Sequence, residues 1–328
     1  MSGPGREPAG QAPAAGAAAG SGPGADDLLA IAADAAAIAA RLLAARSPEE
    51  RPEVVQTKSS PTDVVTEMDR RAEALITERI RASRPGDAIL AEEAGETSGT
   101  PGAGPAAGGS GAAAVRWIVD PLDGTVNYLY GLPDWSVSIA AEVAGTVVAG
   151  IVAAPRRGET FTAIRGQGAW VHRAPWLRGT GAGETSPGAG PAAGDGALAP
   201  AEIPLRCNRD VALGQALVGT GFGYAAGRRR VQGEVVGALL PRIRDIRRGG
   251  SAAVDLCLVA AGRLDAYYER GLNPWDFAAG ALIAEEAGAL VTGLSSQRPG
   301  PSMTVAAGPG LHEDLTALLA SLNPERDA

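Results

Sequence analysis

The chain has 328 residues, 45% of them apolar, with a formal net charge of −8 and two cysteines, Cys207 and Cys257. That length allows one large domain or two modest ones with ample core. The acidic balance, without a dense basic cluster, argues against nucleic acid or an anionic membrane as partner. Two cysteines are too few for a disulfide framework, which fits a reducing cytoplasm.

Residues 1–25 are Gly, Ala, Pro and Ser with almost no bulky apolar group, and they read as a disordered tail. No basic region followed by an apolar core opens the chain, so no signal peptide is expected. From Asp26 the pattern changes: Leu28, Leu29, Ile31, Ile38, Leu42 and Leu43 on an Ala background predict a helix with Asp26 near its cap. Asp34 and Arg41 interrupt that stretch, so it is no membrane span.

Lys58-Ser-Ser-Pro-Thr-Asp63 is a turn-rich loop, followed by a short extended piece over Val64, Val65 and Thr66. Lys58 is the single lysine beside 28 arginines, and a lysine kept against such a bias hints at a site role. Asp69 stands where a helix cap is expected, ahead of Leu75, Ile76 and Ile80 on one helical face. A short apolar strand, Ala88-Ile89-Leu90, runs into Ala91-Glu92-Glu93, and residues 97–113 form a low-complexity loop.

Trp117-Ile118-Val119 reads as a buried strand that stops at Asp120, with Pro121-Leu122-Asp123-Gly124 as a tight turn. Strands over Trp135 to Val143, Val147 to Ala153, Glu159 to Ile164 and Ala169 to Val171, joined by short turns, predict an antiparallel meander. Residues 179–200 are a second low-complexity insert. Beyond it, strands at Ala216 to Thr220, Ile243 to Ile246, Leu264 to Tyr268, Ala289 to Thr292 and Met303 to Ala307 alternate with helices. Those helices are expected at Val231 to Leu240, Ala252 to Ala260, Phe277 to Ala287 and Glu313 to Leu322, giving an α/β half.

Glu92, Asp120, Asp123 and Asp276 share one feature: each ends an apolar strand, sits in its turn, or opens a helix. Buried together and unpaired they would repel, so a cation belongs among them. Oxygen ligands without nearby His or Cys favour a hard divalent ion such as Mg²⁺. His172 and His312 read as surface or capping residues. Gly124-Thr125 followed by Val126-Asn127-Tyr128-Leu129 is a helix start, whose free N–H groups suit an anion bridging the metals, with phosphate the natural candidate. Thr125 adds a hydroxyl able to orient a water, and a metal-activated water is the leading nucleophile. Asp120 and Asp123 lie three apart with Pro121 between, which disfavours the aspartyl-phosphate chemistry that uses aspartates two apart.

At this point the motifs resemble a family. Asp120-Pro-Leu-Asp-Gly-Thr-Val-Asn127 and Trp275-Asp-Phe-Ala-Ala-Gly280 look like the two signature motifs of the inositol monophosphatase family. Ala91-Glu-Glu93 is similar to its Gly-Glu-Glu segment, with Ala in place of Gly. Lys58 to Asp69 resembles its early loop, and Asp265-Ala-Tyr-Tyr-Glu269 its substrate-side segment. The resemblance runs from about residue 26 to about 322. It implies a layered αβαβα sandwich, an α+β half with a meander sheet followed by an α/β half. It also implies a homodimer and Mg²⁺-dependent, Li⁺-sensitive phosphomonoester hydrolysis with two or three Mg²⁺ per site.

The resemblance further implies roles. Glu92, Asp120 and the Leu122 carbonyl would hold a first Mg²⁺; Asp120, Asp123 and Asp276 would hold a second. The N–H groups of Gly124 and Thr125 would bind phosphate. Glu92 and Thr125, with Asp69 behind Thr125, would activate the water, and Glu269 would take substrate hydroxyls. Lys58 falls in the mobile loop over the metals, and Glu93 and Asp63 stand beside the ligands. The N-terminal half, 26–206, would thus carry the metal and phosphate site, with flexible inserts 97–113 and 179–200. The half over 207–325 would supply Asp276 and substrate contacts. The expected substrate is inositol-1-phosphate. Histidinol-phosphate, fructose-1,6-bisphosphate and 3′-phosphoadenosine 5′-phosphate are the alternatives, with Arg229 or Arg247 available for a second phosphate. Some bacterial members of the family also bind transcription machinery, so an additional or sole role there is the rival from another class.

Overall fold

The structure is a computed structural model that describes residues 24–47, 49–58, 64–99, 114–173, 201–294 and 297–327. Asp63, nearly all of the 1–25 tail, most of the 97–113 loop and the whole 179–200 insert lie outside these residues.

Helix α1 (Ala25–Ala44) begins after Gly24 and buries Leu28, Leu43 and a row of alanines at helical spacing. Its partner α2 (Glu67–Ser83) buries Ala72, Ile76 and Ile80. Strands β1 (Val54–Thr57) and β2 (Val64–Thr66) pair antiparallel ahead of α2. The central sheet comprises β3 (Ala88–Ala91), β4 (Gly95–Thr97), β5 (Val115–Asp123), β6 (Ser136–Val143), β7 (Thr146–Ala154), β8 (Glu159–Ile164), β9 (Gly168–Arg173) and β10 (Ala201–Pro204). Its order is β10-β9-β8-β7-β6-β5-β3-β4, so the chain runs as a meander from β5 to β10. Among the described residues of this sheet only the β3–β5 contact is parallel.

One face of this sheet packs on α1 and α2 around Trp117, Ile139 and Ile151. The other face meets α5 (Ala252–Ala260) and α6 (Pro274–Glu286) through Ile118, Val152 and Phe161. Beyond α5 and α6 lies a second sheet of β11 (Leu217–Thr220), β12 (Asp245–Arg247), β13 (Ala266–Glu269), β14 (Leu290–Thr292) and β15 (Thr304–Ala307), in the order β12-β11-β13-β15-β14. Its outer side is closed by α4 (Ala226–Leu239) and α7 (Pro309–Ser321), with Val235, Leu239, Leu311 and Leu315 inside. The result is the expected αβαβα sandwich. Helix α6 comes from the later half of the chain yet packs directly on β7, β6 and β5, which carries Asp276 to the end of β5.

Two expectations are corrected. The strand does not stop at Asp120: β5 continues to Asp123, and the register against β6 slips between Asp120↔Ser138 and Asp123↔Ser136. That is a β-bulge around Pro121, which has no N–H to give a ladder. Asp69 is not a cap, and Asp276 opens its helix from the same position. Each is the third helical residue of a capping box whose caps are Thr66 and Asn273. Asp26 lies in the first turn of α1, near its cap Gly24, as expected.

Candidate functional site

The parallel β3–β5 pair fixes the site's first edge. Ala91 lies opposite Val119, and the Glu92 N–H donates to the Val119 carbonyl at 3.2 Å, which puts Glu92 beside Asp120. The bulge then turns Asp123 toward the start of α5. There the Asp123 carboxylate accepts from the Ser251 hydroxyl at 2.5 Å and the Ala253 N–H at 2.8 Å. Ser251 itself caps α5, accepting from the Val254 N–H at 3.2 Å. Asp276 enters from α6 and accepts the Asn273 N–H at 2.6 Å.

Four carboxylates are thereby gathered from β5, the end of β3 and α6, and their electrostatics record it. Burial pushes the Asp120 carboxyl well above its ordinary range, and the charges of Glu92, Asp123 and Asp276 push it further. Asp276 is raised well above its ordinary value by burial and then by Asp123 and Glu92. Burial also raises Asp123, to about 6, against the pull of Ser251, the α5 N–H groups and Arg248. Glu92 is raised by burial, opposed chiefly by Lys58.

Among the described residues, no three His, Cys, Asp or Glu side chains converge as a ready-made ion cage. The reason is visible in the hydrogen bonds. Each carboxylate has turned onto an internal donor: Asp120 onto the Leu122 N–H at 3.0 Å, Asp123 onto Ser251, Asp276 onto Asn273. Glu92 takes the Lys58 ammonium at 2.7 Å, which also bridges to Glu93 at 2.7 Å. Lys58 therefore lies directly on the acidic cluster. The donor set, all carboxylate and carbonyl oxygen with a large excess of negative charge, fits a hard divalent cation.

Beside the cluster, α3 (Thr125–Leu129) starts at Gly124, whose φ of 87° is left-handed. A β-carbon there would stand 2.9 Å from the Asp134 carbonyl, so glycine is required on both counts. The Thr125 hydroxyl lies 3.1 Å from the Asp69 carboxylate and 3.0 Å from the Leu122 carbonyl. The other Asp69 oxygen takes the Thr66 N–H at 2.8 Å and the Thr66 hydroxyl at 2.5 Å. Burial raises Asp69 to about 6 despite these donors.

Glu269 ends β13 on the far side, where burial lifts its carboxyl to about 7 and the Tyr267 hydroxyl donates to it at 2.5 Å. Of the arginines expected near a second phosphate, Arg247 is tied to Asp245 at 2.6 Å and Arg229 is exposed on α4. The cations beside the site are instead Arg248 and Arg228. Arg248 stands 5.9 Å from the Phe222 ring centre and acts electrostatically on Asp123 and Glu269. Arg228 lies against Gly223 and Gly271.

Sequence reasoning also missed Ser251 and Asp255, a buried α5 carboxyl that burial and Asp123 raise well above its ordinary value. Ser251 ahead of an apolar helix was the available signal. Neither histidine joins the site: His172 and His312 pair with Thr162 and Thr292, at 2.9 and 3.0 Å.

A family model described as the inositol monophosphatase family matches residues 25–326. The chain belongs to the inositol monophosphatase family. It is 43% identical over 274 residues to an inositol-1-monophosphatase of Mycobacterium bovis, covering 82% of each chain. It is 38% identical over 245 residues to the Nus factor SuhB of Escherichia coli K12, covering 74% of this chain and 77% of that one. Among solved structures, Mycobacterium tuberculosis SuhB superposes with a TM-score of 0.67 at 39% identity, covering 92% of this chain and 98% of the other. Family membership supports phosphatase chemistry at this site.

Proposed function

We propose that this family member is a Mg²⁺-dependent phosphomonoesterase that hydrolyses inositol-1-phosphate to inositol and phosphate. The observation that carries the reading is the gathering of buried Asp120 and Asp123 with half-buried Glu92 and Asp276, mutually repelling, beside Thr125. In this reading Glu92, Asp120 and the Leu122 carbonyl hold one Mg²⁺, and Asp120, Asp123 and Asp276 another. Held there, Mg²⁺ supplies Lewis acidity toward water and neutralises phosphoryl charge.

The remaining work falls to the chain's own groups. The N–H groups of Gly124 and Thr125 take phosphate oxygens. Glu92 and the Thr125 hydroxyl orient the attacking water. Thr125 passes a proton to Asp69, whose carboxylate at 3.1 Å is positioned by Thr66. Glu269 accepts from substrate hydroxyls, with Tyr267 fixing its orientation. Glu93, held beside Glu92 by Lys58, orients that ligand. Lys58 bonds one Glu92 oxygen at 2.7 Å and would leave the other for a cation. The enzyme acts in the cytoplasm as a homodimer.

One observation favours a second reading. Arg228 and Arg248 have no ion pair among the described residues and flank the Glu269 side of the site. A second phosphate on the alcohol, as in fructose-1,6-bisphosphate or 3′-phosphoadenosine 5′-phosphate, would meet them. Phosphate release from inositol-1-phosphate, histidinol-phosphate and these two bisphosphates, with Mg²⁺ and with chelator, separates the readings. Fastest Mg²⁺-dependent release from inositol-1-phosphate is expected. Release from none would leave a binding role such as that named for the Escherichia coli relative.

A further inference from the structure

The meander sheet is wider than the helical layer above it. Helix α1 packs on β6, β7 and β8, while β9 and β10 extend the sheet past it. Side chains alternate across the strands, and the register places Thr160 opposite His172, and Thr162 opposite Trp170, on the face toward α1. Between that face and α1 lies a cavity of about 510 Å³ that includes none of the carboxylate-cluster residues. Its size is that of a small-molecule site.

Its walls are specific. On the sheet side the Trp170 ring folds over Gly168, where a β-carbon would stand 3.1 Å from the indole; Gly168 has φ 96°. The indole is thus laid down as a platform. On the helix side Ala30 and Ala33 leave room that larger residues would fill. Polar groups mark the floor: Thr162 and His172 satisfy each other at 2.9 Å, whereas the Thr160 hydroxyl has no partner among the described residues although Thr160 is only 5% exposed. That hydroxyl is closed off from the cavity, so the groups open to a ligand are the Trp170 indole and the acidic rim. The charged lining residues are Asp26 and Glu202, and no described Lys or Arg lines the space.

We propose that this cavity is a second binding site, separate from the carboxylate cluster, for a planar organic cation. Its flat body lies between the Trp170 indole and α1, where ring and cation attract. Asp26 and Glu202 face its charge.

Benzamidine is a suitable probe, with benzoate as its anionic counterpart, titrated into the full chain in excess Mg²⁺ and followed by saturation-transfer NMR. Benzamidine binds saturably and benzoate does not. Ala30→Phe, on the exposed start of α1, weakens binding at least tenfold while leaving phosphatase turnover and circular dichroism unchanged. Glu202→Gln weakens it roughly threefold. No saturable benzamidine binding, equal binding of benzoate, or affinity untouched by Ala30→Phe would each overturn the proposal.

Discussion

Glu159 and Asp120 are buried carboxylates on the same eight-stranded sheet, and their neighbours carry opposite sign. Burial alone would raise Glu159, but Arg263 grips both of its oxygens at 2.6 Å, with Arg157 and Arg173 at 3.5 Å, and its carboxyl is held below the ordinary value. Asp120 is as deeply buried and faces Glu92, Asp123 and Asp276. The fold has therefore satisfied one carboxylate from within and left the other to be neutralised by something brought in. Only the second arrangement suits a cation-dependent site, because a group already paired has no charge left for a ligand.

The contrast breaks most visibly in catalysis. Asp276→Asn removes one of the four negative charges but keeps the shape and an oxygen acceptor for the Asn273 N–H. Turnover at saturating Mg²⁺ should fall about 10³-fold, equivalent to about 4 kcal/mol of barrier. Rates near those of the parent protein would defeat the assignment. On the other side, Arg263→Ala strands Glu159 with two more distant arginines. A loss of about 3 kcal/mol in urea unfolding is expected, with the phosphatase rate per folded molecule unchanged.

Mg²⁺ sharpens the comparison without mutation. At a hundredfold excess over its dissociation constant it should stabilise the protein by about 2.7 kcal/mol, through binding the folded state alone. The shift should shrink in Asp276→Asn, which leaves the Glu92, Asp120 and Leu122 site, and persist in full in Arg263→Ala. Smaller again, Asp120→Asn in chelator should stabilise the fold by about 1–2 kcal/mol while abolishing turnover, since it relieves repulsion without losing the Leu122 N–H contact. A destabilised Asp120→Asn would mean that the cluster is not under electrostatic strain.

Much of this was legible in the residues. Helix Ala252–Ala260 and strand Glu159–Ile164 fall where their apolar patterns put them. The aspartates at element ends pointed to one cluster because strand ends gather at one edge of a sheet. The misses share a cause as well. Strands β1, β4 and β10 are three or four residues long, too short for a period to show. The Thr66-x-x-Asp69 and Asn273-x-x-Asp276 spacings are capping boxes, in which the acid stands three residues after the true cap. Arg248 rather than Arg247 reaches the site because adjacent residues at a strand end face opposite ways. That choice depends on the β12 to α5 connection, which local pattern does not encode.

The smallest effect tests the substrate side. Glu269 has an ordinary value of 4.5 and is lifted to about 7, first by burial, with the Tyr267 hydroxyl and Arg248 opposing. A carboxyl raised in the folded state is favoured there as the neutral acid. Its contribution to stability is complete below pH 4.5 and is lost as pH rises through 7. Glu269→Gln keeps an oxygen for Tyr267 and carries no charge. Measured by urea unfolding in chelator, its stability relative to the parent should be flat near pH 4, climb between pH 4.5 and 7, and level off by pH 8. The advantage there should be about 1–2 kcal/mol, reduced by the solvent that reaches the site. Asp69 and Asp123, each raised to about 6, titrate in both proteins, so the difference between the two curves reports Glu269 together with its repulsion of Asp255 and Asp276. A difference independent of pH would show that Glu269 is ionised throughout, solvated or paired by Arg248, and that the substrate side of this site is wetter than its geometry indicates.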